Sequence, residues 1–358
     1  MQTRYDVIVI GSGPGGAALA QRLAPSGKRI LILERGGNIE RSLDNYSARK
    51  VFVENAYQAH ETWYDKHGVA FHPGLHYCVG GNSKVYGAAL FRLRERDFER
   101  IEHADGVSPE WPLKYDVFEP YYDEAEELFH VHGAAGEDPN EPHRNGPYRY
   151  PPVSHEPRMQ ELCESLTRAG LHPFHMPLGI LLDEIDGRVE PMSPCFRCGA
   201  FDGYPCLTNG KADAQVMCIE PTLAHHPNVT LLTGAYVRQL DTDASGLAVT
   251  AVQVERTGVR ETYRADIVVV ACGALSSALL LLRSANARHP NGLANGSVEL
   301  LDGTTVTRSW AATTSVTTSR FCSPSRGSRT KRFSRRPSRS AISISVPTTR
   351  RTRSASSR

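Results

Sequence analysis

Residues 5–10, YDVIVI, are apolar at every position after Asp6. A strand with one wet face would alternate, so an unbroken apolar run predicts a strand buried on both faces, as in a parallel sheet. Gly11–Gly16 then form a turn, and AALAQRLA sets Ala18, Leu19 and Leu23 on one side of a helix. RILILE (29–34) predicts the next buried strand. Far downstream, NVTLLTGAYVRQLDTD, GLAVTAVQVERTG and RETYRADIVVVACGA predict a run of strands, and ALSSALLLLRSAN a closing helix. Between these ends, residues 97–132 read as a helical, acidic stretch containing YYDEAEELF. Residues 136–157 hold many prolines and read as a long loop. RMQELCESLTRAG (158–170) returns to helix, with Gly170 as its C-terminal stop. CFRCGAFDGYPC (195–206) is a compact cysteine loop, and AQVMCIEPTLAHH is helical. No internal repeat of fixed period is present. After about Ser297 the apolar pattern fails, and 303–358 is Ser, Thr and Arg with scattered Pro, the composition of a disordered segment.

Length adds a bound: 358 residues hold two ordinary domains, or one large one with an insertion. No stretch reaches the roughly 18 apolar residues of a membrane span. Met1 leads into the first strand within five residues, which leaves no room for a signal peptide. Eight cysteines without an export signal then read as reduced thiols or a metal or cluster site in a cytoplasmic protein. The net charge of +2 hides two unlike pieces: 303–358 carries 13 Lys and Arg and no acid, which leaves 28 bases against 39 acids in the first 302 residues.

The chemistry begins at the first turn. Gly11, Gly13 and Gly16 give G-x-G-x-x-G between a strand and a helix. In that setting the glycines permit a tight turn, close backbone approach to a pyrophosphate, and close helix–strand packing. The helix N-terminus offers free N–H groups and the positive end of its dipole to phosphates. Glu34 ends the second strand, where an acid hydrogen-bonds ribose hydroxyls. An acid there disfavours a 2′-phosphate, although Arg35 follows it and keeps NADP in consideration. Two features favour FAD: the LERGG run at 33–37, and the late strand ADIVVVACGA, whose Gly273 and Ala274 suit a return to the same dinucleotide.

Taken together, DVIVIGSGPGG, LERGG, VGGNSKVYGAAL, WPLKYDVFEPYYDEAEELF, NVTLLTGAYVRQL and VVVACGALSSALLLLRSA resemble the glucose–methanol–choline (GMC) oxidoreductase family over roughly residues 5–297. The resemblance implies an α/β fold: an FAD-binding two-dinucleotide, Rossmann-like domain with an inserted substrate or cap region. Its parts would be 1–95 and 208–297 for FAD and 96–207 for the cap, with 298–358 a low-complexity, basic tail. It implies FAD-dependent oxidation of the CH–OH group of an alcohol or sugar, with hydride passing to flavin N5 and an electron acceptor left open. Gly11, Gly13 and Gly16 would hold the pyrophosphate and Glu34 the adenosine ribose. Gly80, Gly81, Asn82 and Ser83 would lie along the flavin and its ribityl chain. Val237 matches the residue whose backbone meets the adenine, and Gly273 and Ala274 would return to the diphosphate. Val85 stands where some relatives carry a histidine bonded to the flavin, which implies noncovalent FAD. The family's general base, a late histidine, has no match here, so no catalytic residue is assigned and weak or no alcohol oxidation is expected of this chain alone.

Three features admit other readings. Cys195, Cys198 and Cys206, with Cys218 beyond, have a spacing that could hold zinc or an iron–sulfur cluster. Phe201 stands where similar sequences often carry a further cysteine, and packed or disulfide-capable thiols are the preferred reading, with no metal. His225-His226 lies at a helix end, where histidine suits the dipole. The basic tail could bind nucleic acid through phosphates. A reading-frame change explains it better: GRNY and HN codons read one base late yield the Ala-Ala-Thr-Thr of 311–314 and the Thr-Thr of 317–318. A frameshift between about Ser297 and Trp310 is therefore expected, which the coding DNA decides. The competing enzyme reading, an FAD/NAD reductase, would need a second G-x-G-x-x-G, and the sequence has none.

Overall fold

The structure is a computed structural model that describes residues 4–64, 68–104 and 106–295. The basic tail, and with it the expected frame change, lies outside the described residues.

Strand β1 (Arg4–Ile10) runs into the glycine turn and then helix α1 (Pro14–Leu23). Strand β2 (Ile30–Leu33) returns parallel to β1, with Val7 opposite Ile30 and Ile10 opposite Leu33. The chain then leaves the sheet for almost two hundred residues. It comes back as β3 (Val229–Leu232), β4 (Tyr236–Thr242), β5 (Val249–Arg256) and β6 (Val259–Val270), and closes with the helix Ala274–Arg283.

These strands form one six-stranded sheet in the order β3-β2-β1-β6-β5-β4. β3 and β6 flank the N-terminal pair in parallel, and β5 and β4 continue antiparallel at one edge. The long β6 does two jobs. Its first half pairs with β5 (Val252 opposite Tyr263), and its second half pairs with β1 (Ile10 opposite Val270). A mixed α/β, Rossmann-like sheet is therefore assembled from the two ends of the described chain.

The apolar run of β1 is explained by its two faces. Val7 and Val9 join α1 residues Ala17 and Ala20 in one core. Ile8 and Ile10 join Leu31, Val252 and Leu280 in the other. Ile8, Val9, Ile30, Leu31 and Ile32 have no exposed surface. Each such side chain stabilises the fold by about 1.5–3 kcal/mol relative to leaving it in water.

The middle of the chain departs from the sequence expectation in one place. The acidic stretch 97–132 is not helical throughout: helix α2 spans Tyr115–Leu128. Before it come a 3₁₀ turn (Glu95–Phe98) and a short hairpin (Ile101–His103 with Gly106–Ser108). Pro109 and Pro112 follow the hairpin, and the residue before a proline is pushed out of the helical region. Helix α3 (Pro157–Arg168) ends as expected, with Gly170 at φ +80°.

Helix α2 docks through charge as well as apolar contact. The buried Arg92 guanidinium donates to Glu126 (2.7 and 2.8 Å), to Glu119 (3.2 Å) and to the Tyr115 hydroxyl (3.1 Å). Among the described residues no helix is long and apolar enough to cross a membrane.

Candidate functional site

The C-terminal ends of β1 and β6 stop side by side, and a helix starts just beyond each. Gly13 is the N-cap of α1, and Gly273 is the N-cap of α4 (Ala274–Arg283). Both helices begin on one cavity of about 650 Å³, which Gly11, Gly13, Gly15, Gly273 and Ala274 line. The first N–H groups of a helix have no intrahelical acceptor and carry the positive end of the dipole. Two such ends on one cavity suit an anion of more than one charge.

The glycines divide by what a side chain would meet. A Cβ on Gly11 would fall 2.5 Å from the Ala271 carbonyl oxygen, at φ +102°. On Gly16 it would fall 2.2 Å from the Gly11 carbonyl oxygen and 3.1 Å from Val9. Gly16 does not line the cavity; it is the close-packing glycine between α1 and β1. At Gly13, Gly15 and Gly273 a Cβ would meet nothing within 4 Å. Their bareness leaves open the space above the turns, which is the cradle a diphosphate needs.

Glu34 is 6 % exposed and lines the same cavity. Its Oε2 accepts from the Ser12 amide (3.1 Å) and hydroxyl (2.7 Å), and its Oε1 accepts from the Gly36 amide (2.9 Å). A carboxylate has about four acceptor sites, so the fixed Glu34 keeps capacity for a ribose hydroxyl. Val237 and Arg35 also line this end.

Arg35 is already engaged. Its guanidinium lies over the rings of Tyr77 (3.9 Å) and Tyr236 (3.8 Å) and forms a two-pronged pair with Glu61. The expectation that kept NADP in view, an arginine free to read a 2′-phosphate, does not match that geometry.

The second glycine turn contributes differently from its members' adjacency. Gly81 and Asn82 line the cavity. Gly80 and Ser83 stand behind it: the Gly80 amide donates to the Ser12 hydroxyl (3.2 Å), and the Ser83 hydroxyl donates to the Gly80 carbonyl (2.6 Å) and accepts from the Ala214 amide (3.0 Å). Asn82 is aimed by the His76 amide, which donates to its Oδ1 (3.0 Å). Burial lowers the His76 pKa, so this ring is neutral at neutral pH. Beneath the turn Lys84 pairs with Asp213 at 2.9 Å, both side chains out of solvent. Val85 is buried and carries no nitrogen for a flavin bond.

Sequence reasoning missed Ser12, His76, Tyr77, Tyr236, Cys272 and Arg283, which share this site. Ser12 adjoins Gly11 and Gly13, Tyr236 adjoins Val237 and Cys272 adjoins Gly273, so neighbourhood is a usable signal for these three. His76, Tyr77 and Arg283 had none.

The cysteine loop lies elsewhere. Lys211, 2 % exposed, donates to the Phe201 carbonyl (2.8 Å) and the Tyr204 carbonyl (2.9 Å) and so holds the loop's shape. Cys195, Cys198, Cys206 and Cys218 are free thiols, and burial pushes the Cys195 thiol up. Among the described residues no group of three or more His, Cys, Asp or Glu could hold a metal ion. His225 bonds the Pro221 carbonyl (2.8 Å) at its own helix end.

Residues 75–301 match the family model described as GMC oxidoreductase, and residues 9–70 match one described as an NAD(P)-binding Rossmann-like domain. The chain is 34% identical over 298 residues to paromamine 6'-oxidase of Streptomyces fradiae and 33% identical over 299 residues to 6'''-hydroxyparomomycin C oxidase of Streptomyces lividus. Each alignment covers 82% of this chain and 52% of the relative. It is 31% identical over 305 residues to 2-methyl-1,2-propanediol dehydrogenase of Mycolicibacterium austroafricanum, covering 81% of this chain and 52% of that protein. The chain spans about half the length of the curated relatives it matches.

Proposed function

This chain belongs to the GMC oxidoreductase family, and we propose that it holds FAD and serves the oxidation of a CH–OH group on an alcohol or sugar. One observation carries the cofactor assignment: two helix N-termini with open glycines face one cavity whose flank is a fixed, buried carboxylate. A dinucleotide presents that pattern, two phosphates followed by a ribose diol. The hydroxylated compounds in the relatives' names, paromamine, a hydroxyparomomycin and a propanediol, support the substrate class.

Bound FAD would supply the hydride acceptor for the substrate carbon. The chain's own residues bind and orient. The amides at the starts of α1 and α4 would face the diphosphate, Glu34 a ribose hydroxyl, and the Val237 backbone the adenine. Gly81 and Asn82 would continue along the cofactor toward the flavin. Among the described residues none is assigned as the base that takes the hydroxyl proton.

The cofactor is tested by an absorbance scan of the purified chain after incubation with FAD and removal of free ligand. Flavin bands at one equivalent per chain are expected. Protein that emerges folded but colourless would sink the assignment. Anaerobic bleaching of those bands by alcohols or sugars should be weak or absent in this chain, since no base is assigned among the described residues; ready bleaching would overturn that expectation and read the substrate class.

A further inference from the structure

An arginine directly after the acid of a dinucleotide fold's second strand is placed to read a ribose 2′-phosphate. Arg35 has that place and lines the cavity. Its planar fork, the part that would grip a phosphate, is turned onto Glu61, with Nη1 donating to Oε2 at 3.3 Å and Nη2 donating to Oε1. The guanidinium also lies over the rings of Tyr77 and Tyr236. Tyr77 also donates its hydroxyl to Glu61 Oε2 at 2.7 Å, so the carboxylate is itself held in place. Burial pushes the Glu61 pKa up, but the bonds from Arg35 and Tyr77 outweigh burial and keep it below the usual value. Glu61 is thus ionised at neutral pH. A second cation, Arg283, lines the same cavity, donates to the Tyr236 hydroxyl and adds to the field on Glu61.

We propose that Glu61 is a selectivity-determining residue: by neutralising Arg35 and holding its fork, it makes the cavity accept a plain adenosine ribose and reject a 2′-phosphorylated one. Glu61 lies outside the cavity lining and acts through Arg35. Without its charge, Arg35 and Arg283 would face the ribose opposed by Glu34 alone. The inference rests on the dinucleotide reading of the cavity.

The test uses the full chain and two probes that differ only at the 2′ position, ADP and 2′-phospho-ADP, measured by calorimetry. Wild-type protein should bind ADP more tightly than 2′-phospho-ADP. Glu61→Gln should tighten 2′-phospho-ADP by about tenfold, the worth of one charge-assisted hydrogen bond, while ADP changes by less than about threefold. Adding Arg35→Gln to that variant should abolish the gain. Tyr77→Phe keeps the ring and removes one bond to Glu61; it should shift the same ratio in the same direction by less, and it carries the test should Glu61→Gln fail to fold. A ratio unmoved in folded Glu61→Gln or Tyr77→Phe protein, or a gain that survives Arg35→Gln, overturns the proposal. Wild-type protein that binds neither ADP nor FAD overturns the dinucleotide reading beneath it.

Discussion

The Ser12 hydroxyl donates to the Glu34 carboxylate at 2.7 Å, and neither group has more than a trace of solvent exposure. The same hydroxyl accepts the Gly80 amide at 3.2 Å. One oxygen therefore joins the acid that follows β2 to the second glycine turn, through the first. Ser12→Ala leaves the Gly80 N–H buried without an acceptor and Glu34 with one bond fewer. The expected cost is about 1–3 kcal/mol of stability, read from urea unfolding. FAD affinity should fall with it, because Glu34 would no longer be fixed. Unchanged stability and unchanged flavin binding together would show that the bridge is incidental.

Gly13 and Gly16 stand three residues apart and should fail in opposite ways. Gly13 has φ −67°, which alanine adopts freely, and its added Cβ meets nothing within 4 Å. Gly13→Ala should melt within about 2 °C of wild type, since a change that neither clashes nor strains the backbone is worth only a few tenths of a kcal/mol. Its methyl would occupy the phosphate cradle, so FAD affinity should drop at least about tenfold. Gly16→Ala puts a methyl 2.2 Å from a backbone oxygen, where α1 must move off the sheet. Such overpacking costs about 1–3 kcal/mol or more, and the apo protein itself should melt lower. If Gly13→Ala lowers the melting point as much as Gly16→Ala does, the division of roles is wrong.

How far the sequence could be read follows from the same residues. The strand, glycine turn, helix and Glu34 are contiguous, and each is a local consequence of backbone geometry, so all were legible. The late strand with Gly273 was legible for the same reason. The Arg35 clamp was not: Glu61 is 26 residues away, and no spacing rule links a carboxylate in an irregular segment to a guanidinium after a strand. Lys84 and Asp213, 129 residues apart, were invisible in the same way. Gly80 and Ser83 share a motif with the cavity residues Gly81 and Asn82, but a motif marks a segment, while the turn's twist decides which members face inward. The stretch 97–114 reads as helix together with the acidic segment that follows it, but Pro109 and Pro112 stand ahead of Tyr115, where the helix starts.

Lys211 gives a pH signature. Burial pushes its pKa down from the usual lysine value of 10.5 to about 8, against smaller opposing effects from Cys206, Asp213 and Asp202. Below pH 8 the ammonium is charged in both folded and unfolded chains, and the folded protein bears the cost of burying it. Between about 8 and 10.5 the unfolded chain holds a proton that the folded chain has released, so this contribution to stability rises with pH. Above 10.5 the rise is complete, on the order of 3 kcal/mol. Other groups titrate over the same range: the buried Cys78 and Cys218 thiols, pushed up to about 12, make stability fall as pH climbs past the ordinary thiol value. The difference between wild type and Lys211→Met removes those shared terms. At pH 7 the variant loses two hydrogen bonds to the cysteine loop but also sheds the buried charge. Urea midpoints at pH 7 and pH 10 should therefore show wild type gaining on the variant as pH rises. A difference that stays flat across that window would mean that Lys211 keeps an ordinary pKa in the folded protein.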